Sequence, residues 1–210
     1  ILRASSYGGA NMRIQRTDYL NKLIAFKDKK LIKVITGIRR CGKSTLLAIY
    51  RDWLKEQGVT EEQIIAINFE DIDYEELTSY KKLYQYLKDH LAPGKMTYIF
   101  LDEVQNIDNF AKVVDSIYIK DQVDIYITGS NAYMLSSDIA TLISGRYVQI
   151  EMLPLSFKEY MEGTGSQNDR GIKYTEYLTS SSFPYTLELK GQPKEIRDYL
   201  EGLYNTIVVK

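Results

Sequence analysis

The feature that most constrains the fold is a glycine-containing loop between a strand-like and a helix-like segment. Residues 37–44 are GIRRCGKS, which matches the GxxxxGK(S/T) pattern at every fixed position. An apolar run at residues 31–36 predicts a buried strand before the loop, and residues 44–57 place apolar side chains at helical spacing after it. This context predicts a phosphate-binding loop. The alternative is a tight strand-to-helix turn that matches the pattern by chance.

The loop residues have separate predicted roles. The glycines allow backbone N–H groups to point at phosphate oxygens, and the following helix N-terminus adds partial positive charge. We expect Lys43 to contact the β- and γ-phosphates and the Ser44 hydroxyl to ligate Mg²⁺. Gly37, Gly42 and Thr45 complete the predicted nucleotide contacts.

Several neighbouring residues have no assigned role in the site. Cys41 occupies a variable position of the pattern, where alkylation would interfere with binding, but the position gives it no catalytic task. Arg39 and Arg40 are adjacent and point in different directions, so we expect at least one to be solvated. His90, the single histidine, lies among charged residues of a predicted helix and is interpreted as solvated too.

Strand-like and helix-like segments alternate along the first three quarters of the chain. Strands alternating with helices are joined by right-handed crossovers, which favours a mostly parallel sheet covered on both faces. The predicted fold class is therefore a three-layer α/β/α sandwich with a mostly parallel five-stranded sheet. The predicted strands are residues 31–36, 64–69, 97–101, 123–128 and 147–150, and the predicted helices are residues 17–26, 44–57, 80–91, 110–119 and 133–143.

The chain divides into three predicted parts. Residues 1–11 are rich in Ser, Gly and Ala and are expected to be a flexible segment, and residues 12–155 form the core. Residues 156–210 are predicted to form a small helical lid, with a polar loop at 163–171 and helices at 174–179 and 195–208. The apolar stripe of the last helix favours packing in a core; alternatively its partner belongs to a further C-terminal domain.

An acidic pair follows the third predicted strand. Asp102 and Glu103 come directly after the apolar run YIFL, at the edge of the sheet where the phosphate loop also lies. Such a pair alone often marks a strand that ends in solvent, but after a complete phosphate loop it has the pattern of a Walker B motif. We expect Asp102 to hold Mg²⁺ and Glu103 to polarise the water that attacks the γ-phosphate.

Two further positions are candidates for sensing the γ-phosphate. Ser130 follows the fourth predicted strand beside the acidic pair, although Ser130 and Asn131 can equally begin the next helix as caps. Arg146 begins the fifth predicted strand, where it can serve as an arginine finger in cis or in trans. The alternative for Arg146 is a pairing with a surface carboxylate.

Composition excludes some functions. With 27 Lys and Arg against 28 Asp and Glu, the net charge of -1 provides no global attraction to nucleic acid or to anionic membranes. One cysteine and one histidine cannot form a zinc cluster or a disulfide framework. No apolar stretch has the length of a membrane span, so we expect a cytoplasmic protein with no membrane partner.

These segments closely resemble the AAA-like ATPase family of bacteria and archaea. The resemblance covers residues 12–210 and rests on the motifs GIRRCGKS, LDEVQ, TGS, LISGRY and PLSF. It implies an ATPase core with ATP and Mg²⁺ bound through Lys43, Ser44, Asp102 and Glu103. It also implies a sensor at Ser130, although Asn131 follows where a second serine is common, and an arginine finger at Arg146.

The family relation also bears on partners. It implies an adenine base, ATP or ADP as ligand, a homo-oligomer as one arrangement, and an unknown protein partner. Family members carry a C-terminal region with winged-helix and nuclease-like features, which these 210 residues lack. DNA is therefore expected as a partner only through that missing region.

Two functions fit the sequence. The first is magnesium-dependent ATP hydrolysis, and the second is a nucleotide-gated switch in which hydrolysis is slow or incidental. A small-molecule kinase is disfavoured by Glu103, because a carboxylate that activates water suits a hydrolase.

Overall fold

The structure is a computed structural model that describes residues 13–129, 145–165, 169–189 and 192–207. At its centre are the strands β1 (Ile32–Gly37), β2 (Ile64–Asn68), β3 (Thr97–Asp102), β4 (Val123–Gly129) and β5 (Tyr147–Met152). They form a five-stranded sheet in the order β2-β3-β4-β1-β5. All neighbouring pairs run parallel, which confirms the predicted parallel α/β sheet.

The three inner strands are buried along their whole length. Every residue of β1, β3 and β4 is buried, whereas the outer strands β2 and β5 each include partly exposed residues. Near-continuous apolar strands are typical of parallel sheets with both faces covered. This explains why the apolar runs of the inner strands, rather than an alternating pattern, indicate them in the sequence.

Helices cover both faces of the sheet. One buried cluster joins α1 (Thr17–Ala25) and α2 (Lys43–Glu56) to the sheet, and another joins α3 (Tyr80–Asp89) and α4 (Phe110–Tyr118) to it. The first contains Leu23, Leu46, Tyr50, Phe100 and Tyr126, and the second contains Leu83, Leu87, Phe110, Val114, Ile99 and Leu101. The two clusters make up the predicted three-layer sandwich. The helix predicted at residues 133–143 lies outside the described residues.

A helical tail follows β5, as predicted, but its first helix is not among the predicted helices. The tail contains α5 (Phe157–Thr164), α6 (Arg170–Ser180), a short 3-10 segment (Pro184–Leu187) and α7 (Pro193–Ile207). The polar loop predicted at residues 163–171 is too long at both ends, because residues 163–164 belong to α5 and residues 170–171 belong to α6. Residues 166–168 of this loop lie outside the described residues. The division of the chain into a core and a lid at residue 155 stays a prediction.

The start of α5 is fixed by a capping box. The Glu159 N–H donates to the Ser156 hydroxyl (3.3 Å), and the Ser156 N–H donates to Glu159 Oε2 (2.8 Å). This reciprocal pair satisfies two backbone N–H groups that a helix start leaves free. Residue 163 lies within α5 and is a glycine because a side chain there would overlap Ile14 and Leu187. The glycine therefore reflects close packing rather than a loop.

A buried ion pair crosses the amino end of the sheet. Lys33 of β1 and Asp124 of β4 form it, and both side chains are fully buried. Asp124 also accepts hydrogen bonds from the Asp28 N–H (2.8 Å) and the Tyr126 hydroxyl (2.9 Å), while the Lys33 ammonium donates to the Lys29 carbonyl (2.8 Å). Burial lowers the pKa of Lys33 and raises the pKa of Asp124, and their mutual contact opposes both shifts.

Within the part of the chain that the structure describes, no helix has both the length and the apolar character needed to cross a membrane.

Candidate functional site

The phosphate loop lies at the carboxyl end of β1, between that strand and α2. A side chain at Gly37 would overlap the Met152 carbonyl oxygen and approach the Cys41 sulfur to 2.9 Å. Gly42 immediately precedes α2 and has φ +103°, a conformation that side-chain-bearing residues rarely adopt. Both glycines of the pattern are thus required by local geometry.

Lys43 is buried beneath the loop and faces its carbonyl oxygens. Its side chain is 4% exposed, and its ammonium lies 3.2 Å from the Gly37 oxygen, 3.5 Å from the Ile38 oxygen and 3.5 Å from Glu103 Oε1. Ser44 and Thr45, the next two residues of α2, are exposed. The first turn of α2 therefore presents a buried cation and two accessible hydroxyl groups on neighbouring positions.

Asp102 ends β3 next to β4. Its residue is 7% exposed, and the Thr128 hydroxyl donates to its Oδ1. Burial raises the pKa of Asp102, although hydrogen bonding by the Ser44 and Thr128 hydroxyls acts in the opposite direction. The hydroxyl of Ser44 and the carboxylate of Asp102 are thus close neighbours.

Glu103 takes a left-handed backbone conformation with φ +58° just after the strand. Its N–H donates to Thr128 Oγ1 (2.9 Å), and its Oε2 accepts from Gln105 Nε2 (2.6 Å). Its other carboxylate oxygen is the one that faces Lys43. Glu103 is therefore held from two sides, and its side chain is 12% exposed.

Thr128 and Gln105 are site residues that the sequence analysis does not predict. Thr128 is fully buried and contacts both acidic residues through one hydroxyl. The available signal is its place at the end of β4, since the sheet order sets β4 between β3 and β1. Gln105 lies in the motif LDEVQ, but its hydrogen bond to Glu103 depends on the left-handed turn at that residue.

The donor atoms fit a magnesium ion. Mg²⁺ prefers oxygen ligands, keeps several waters and uses few carboxylates. Ser44 and Asp102 supply one hydroxyl and one carboxylate, and the remaining positions would be taken by phosphate oxygens and water. A cation here would also favour the ionised form of Asp102, which burial alone disfavours.

Arg146 lies at the opposite end of the sheet. Its carbonyl accepts the N–H of Ile32, the first residue of β1 (2.8 Å), whereas the phosphate loop follows the last. Six strand residues separate the two ends, roughly 17 Å at about 3.3 Å per residue. The guanidinium pairs with Asp115 and lies 5.7 Å from the centre of the Tyr118 ring. The structure thus shows the surface pairing that was the alternative, and Arg146 does not meet the loop of its own chain.

Other predicted residues have simpler outcomes. Ser130 and Asn131 lie outside the described residues. Cys41 is fully buried and burial raises the pKa of its thiol, which disfavours alkylation at this position. Arg39 forms an exposed ion pair with Glu70 (2.7 Å), and His90 is exposed and stacks on Tyr86.

A protein of Haemophilus influenzae, described as uncharacterized, is 38% identical over 200 residues; the match covers 93% of this chain and 50% of the relative. The chain thus spans about half of that relative's length.

Among solved structures, a Walker-type ATPase of Pyrococcus abyssi superposes with a TM-score of 0.63 at 15% identity, covering 92% of this chain and 74% of the other. DnaA of Aquifex aeolicus, bound to AMPPCP, gives a TM-score of 0.54 at 15% identity over 91% of this chain and 64% of DnaA. At this identity the likeness shows a shared fold. The family model described as "AAA domain" matches residues 29–161, more than half of the chain, and the protein therefore belongs to this family of P-loop NTPases.

Proposed function

We propose that this chain binds ATP together with Mg²⁺ and hydrolyses the γ-phosphate. The observation that carries the proposal is the 3.5 Å approach of the Lys43 ammonium to Glu103 Oε1. It joins the phosphate loop at the end of β1 to the acidic pair at the end of β3. Membership of the AAA domain family and the AMPPCP in DnaA support a nucleotide ligand and an adenine base.

Each residue has a definite task in this proposal. Backbone N–H groups of the loop and the Lys43 ammonium hold the β- and γ-phosphates and offset the charge of the transferred phosphoryl group. Ser44 and Asp102 would hold Mg²⁺, which supplies further neutralisation of the phosphate oxygens. Glu103 accepts a hydrogen bond from the attacking water and orients it in line with the bond that breaks.

Thr128 positions the two carboxylates for these different tasks. Its hydroxyl hydrogen is used by Asp102, and its oxygen lone pair accepts the Glu103 N–H at 2.9 Å. The backbone of Glu103 is thereby tied to the metal-binding carboxylate. A single small side chain thus sets the spacing between the proposed metal site and the proposed general base.

An arginine finger requires a second copy of the chain. Arg146 lies at the amino end of the strands and pairs there with Asp115. A role in catalysis would therefore be in trans, in a homo-oligomer where this end faces the phosphate loop of a neighbour. An ATPase rate per subunit that rises with protein concentration, and no longer does so in Arg146→Ala, would support this arrangement; a flat rate in wild type would contradict it.

A nucleotide-gated switch is the second candidate. It is favoured by the closeness of the tail to the phosphate loop, since a side chain placed at Gly42 would come within 3.8 Å of the Pro184 ring. In that case nucleotide would alter how an unknown protein partner binds. We place either activity in the cytoplasm, and we expect DNA only through regions outside this chain.

The test is a comparison of two glutamate variants. Glu103→Gln should retain ATP binding, since the loop is unchanged, while turnover falls about 100-fold or more because the water loses its acceptor. The matched control is Glu61→Gln, which removes an exposed ion pair with Lys55 (2.5 Å) far from the loop. Turnover and nucleotide affinity are measured separately, with and without Mg²⁺. Wild-type turnover in Glu103→Gln would show that the proposed base is wrong, and slow wild-type hydrolysis with intact binding would favour the switch.

A further inference from the structure

A buried arginine outside the proposed catalytic residues joins the phosphate loop to the tail. Arg16 immediately precedes α1, is 3% exposed and has φ +50°, which non-glycine residues rarely adopt. One terminal nitrogen of its guanidinium donates to the Cys41 carbonyl of the loop (3.1 Å). The other donates to the Leu153 carbonyl just after β5 (2.6 Å). Arg16 therefore braces two chain segments that border the nucleotide site.

The third contact of this guanidinium reaches the tail. Arg16 Nε lies 2.7 Å from Oε1 of Glu159, which is itself buried in the first turn of α5. The second oxygen of that carboxylate accepts the Ser156 N–H (2.8 Å) and hydroxyl (2.9 Å). One carboxylate thus caps α5 and pairs with the residue that holds the loop.

Further contacts surround this connection. The Tyr19 ring lies 4.8 Å from the guanidinium, and its hydroxyl accepts the Leu153 N–H (3.2 Å). Ile14 packs closely against Gly163 of α5. The segment before α1 therefore contacts both the loop and the first tail helix.

The contact with Cys41 bears directly on phosphate binding. In a planar trans peptide the C=O and the following N–H point in opposite directions. Holding the Cys41 oxygen on Arg16 therefore turns the Gly42 N–H away from Arg16. In a phosphate loop these N–H groups are the ones that must face the ligand. Arg16 therefore fixes the orientation of the peptide unit between Cys41 and Gly42 by binding its carbonyl oxygen, on the side opposite to the N–H.

We propose that Arg16 and Glu159 form a positioning pair that couples the conformation of the phosphate loop to the orientation of α5. The coupling rests on the proposed function, because its ligand is the nucleoside triphosphate of that site. Nucleotide binding then orders α5 through this pair. Breaking the pair, in turn, makes the backbone of the phosphate loop more mobile. Neither residue touches the reacting atoms.

The variants separate this role from simple support of α5. Glu159→Gln removes the charge that pairs with Arg16 but keeps the capping box, since Gln serves at this position as Glu does. Ser156→Ala removes the hydroxyl contacts of the capping box and leaves the ion pair. Asp52→Asn removes an exposed ion pair with Arg13 (3.0 Å) and controls for charge loss near the same segment.

The experiment measures amide hydrogen exchange in the loop and in α5, with and without ATP and Mg²⁺, together with the affinity for a fluorescent ATP analogue. We expect nucleotide to slow exchange in α5 of wild type, Ser156→Ala and Asp52→Asn, and to have no such effect in Glu159→Gln. We also expect exchange of the loop amides to rise about tenfold in nucleotide-free Glu159→Gln, and Arg16→Gln to weaken nucleotide binding about tenfold or more.

The outcomes are distinguishable. Wild-type protein that binds no nucleotide would overturn the proposed function. Wild-type protein that binds nucleotide, with loop exchange and α5 protection unchanged in Glu159→Gln, would overturn the coupling alone. Equal loss of protection in Ser156→Ala and Glu159→Gln would also overturn it, because both changes would then act only through the stability of α5.

Discussion

The two ends of the parallel sheet both bury charged side chains, but only one end pairs them completely. At the amino end, Lys33 and Asp124 are fully buried, pair with each other, and hold further hydrogen bonds from the surrounding chain. At the carboxyl end, Lys43 is nearly as buried, yet it meets two carbonyl oxygens and a carboxylate at 3.2–3.5 Å. The exposed Ser44 and Thr45 lie beside it.

This difference separates a structural cluster from a binding site within one sheet. A fully buried ion pair whose two charges face each other leaves no place for a ligand, and breaking it lowers the stability of the fold. A buried lysine with long, weak contacts beside accessible hydroxyls retains interaction energy for a ligand that supplies better acceptors. Phosphate oxygens are such acceptors.

The largest effect is expected at the amino end. Lys33→Met leaves the Asp124 carboxylate buried without its cation, so we expect a loss of about 3–5 kcal/mol in the free energy of unfolding, measured by denaturant titration. The double variant Lys33→Met/Asp124→Asn should recover much of that loss, since no uncompensated charge remains. Nucleotide affinity of the folded fraction should be unchanged. A Lys33→Met protein with wild-type stability but weakened nucleotide binding would reverse the distinction between the two ends.

The next effect concerns Asp102, where a substitution is expected to raise the free energy of unfolding rather than lower it. Burial raises the pKa of Asp102, so the folded protein holds this proton more tightly than the unfolded chain does. The stability that the protonated form contributes is present at low pH and is lost as pH rises through the raised pKa. Asp102→Asn should therefore be as stable as wild type, or more stable by up to about 2 kcal/mol, at pH 8 without Mg²⁺.

The same variant should lose magnesium-dependent hydrolysis by about 100-fold, because the ion loses its carboxylate. Denaturant titrations from about pH 3, below the ordinary pKa of an aspartate, to about pH 8 provide the check, with Asp124→Asn as the control from the amino end. The advantage of Asp102→Asn over wild type should grow as pH rises toward the raised pKa of Asp102. Asp124→Asn should instead be destabilised, although the pKa of Asp124 is raised too, because it leaves the buried Lys33 ammonium without its carboxylate. An Asp102→Asn protein that becomes less stable than wild type as pH rises would contradict the assignment of a destabilising carboxylate at the site.

The sequence predicted the parts of the site whose residues are close in the chain. The loop GIRRCGKS and the pair Asp102 and Glu103 each form a local pattern beside a recognisable strand. Thr128 and Arg16 are different, because their partners Asp102 and Cys41 lie 26 and 25 positions away. The strand order brings Thr128 to Asp102, and the packing of the segment before α1 against the loop brings Arg16 to Cys41. Such pairings require the topology, which a single sequence does not provide.

The first tail helix and the position of Arg146 show two further limits of prediction from the sequence. The start of α5 carries a readable signal in Ser156 and Glu159, a capping box, but Gly163 favours the interpretation of a loop. The position of Arg146 at the start of β5 agrees with the prediction. What the sequence does not provide is the parallel pairing of β5 with β1, which puts that start at the end of the sheet away from the loop.

The smallest effect tests whether the carboxyl end depends on one hydroxyl. Thr128→Val keeps the shape of a buried β4 residue but removes the donor to Asp102 and the acceptor of the Glu103 N–H. We expect a loss of about 1–2 kcal/mol in stability, because a buried N–H is left without a partner, and a fall in turnover of about tenfold. Thr36→Val is the matched control. Thr36 is fully buried in the adjacent strand, where its hydroxyl accepts from Gln149 (3.0 Å) and touches neither acid.

The two valine variants should therefore share a modest loss of stability and differ in turnover. Thermal unfolding and steady-state hydrolysis, measured on the same preparations, separate the two effects. If Thr36→Val slows hydrolysis as much as Thr128→Val does, the carboxyl end responds to any weakening of the sheet, and Thr128 has no special part in spacing the carboxylates. If only Thr128→Val slows hydrolysis, the arrangement of the carboxyl end depends on the Thr128 hydroxyl, as the hydrogen bonds of the amino end depend on Asp124.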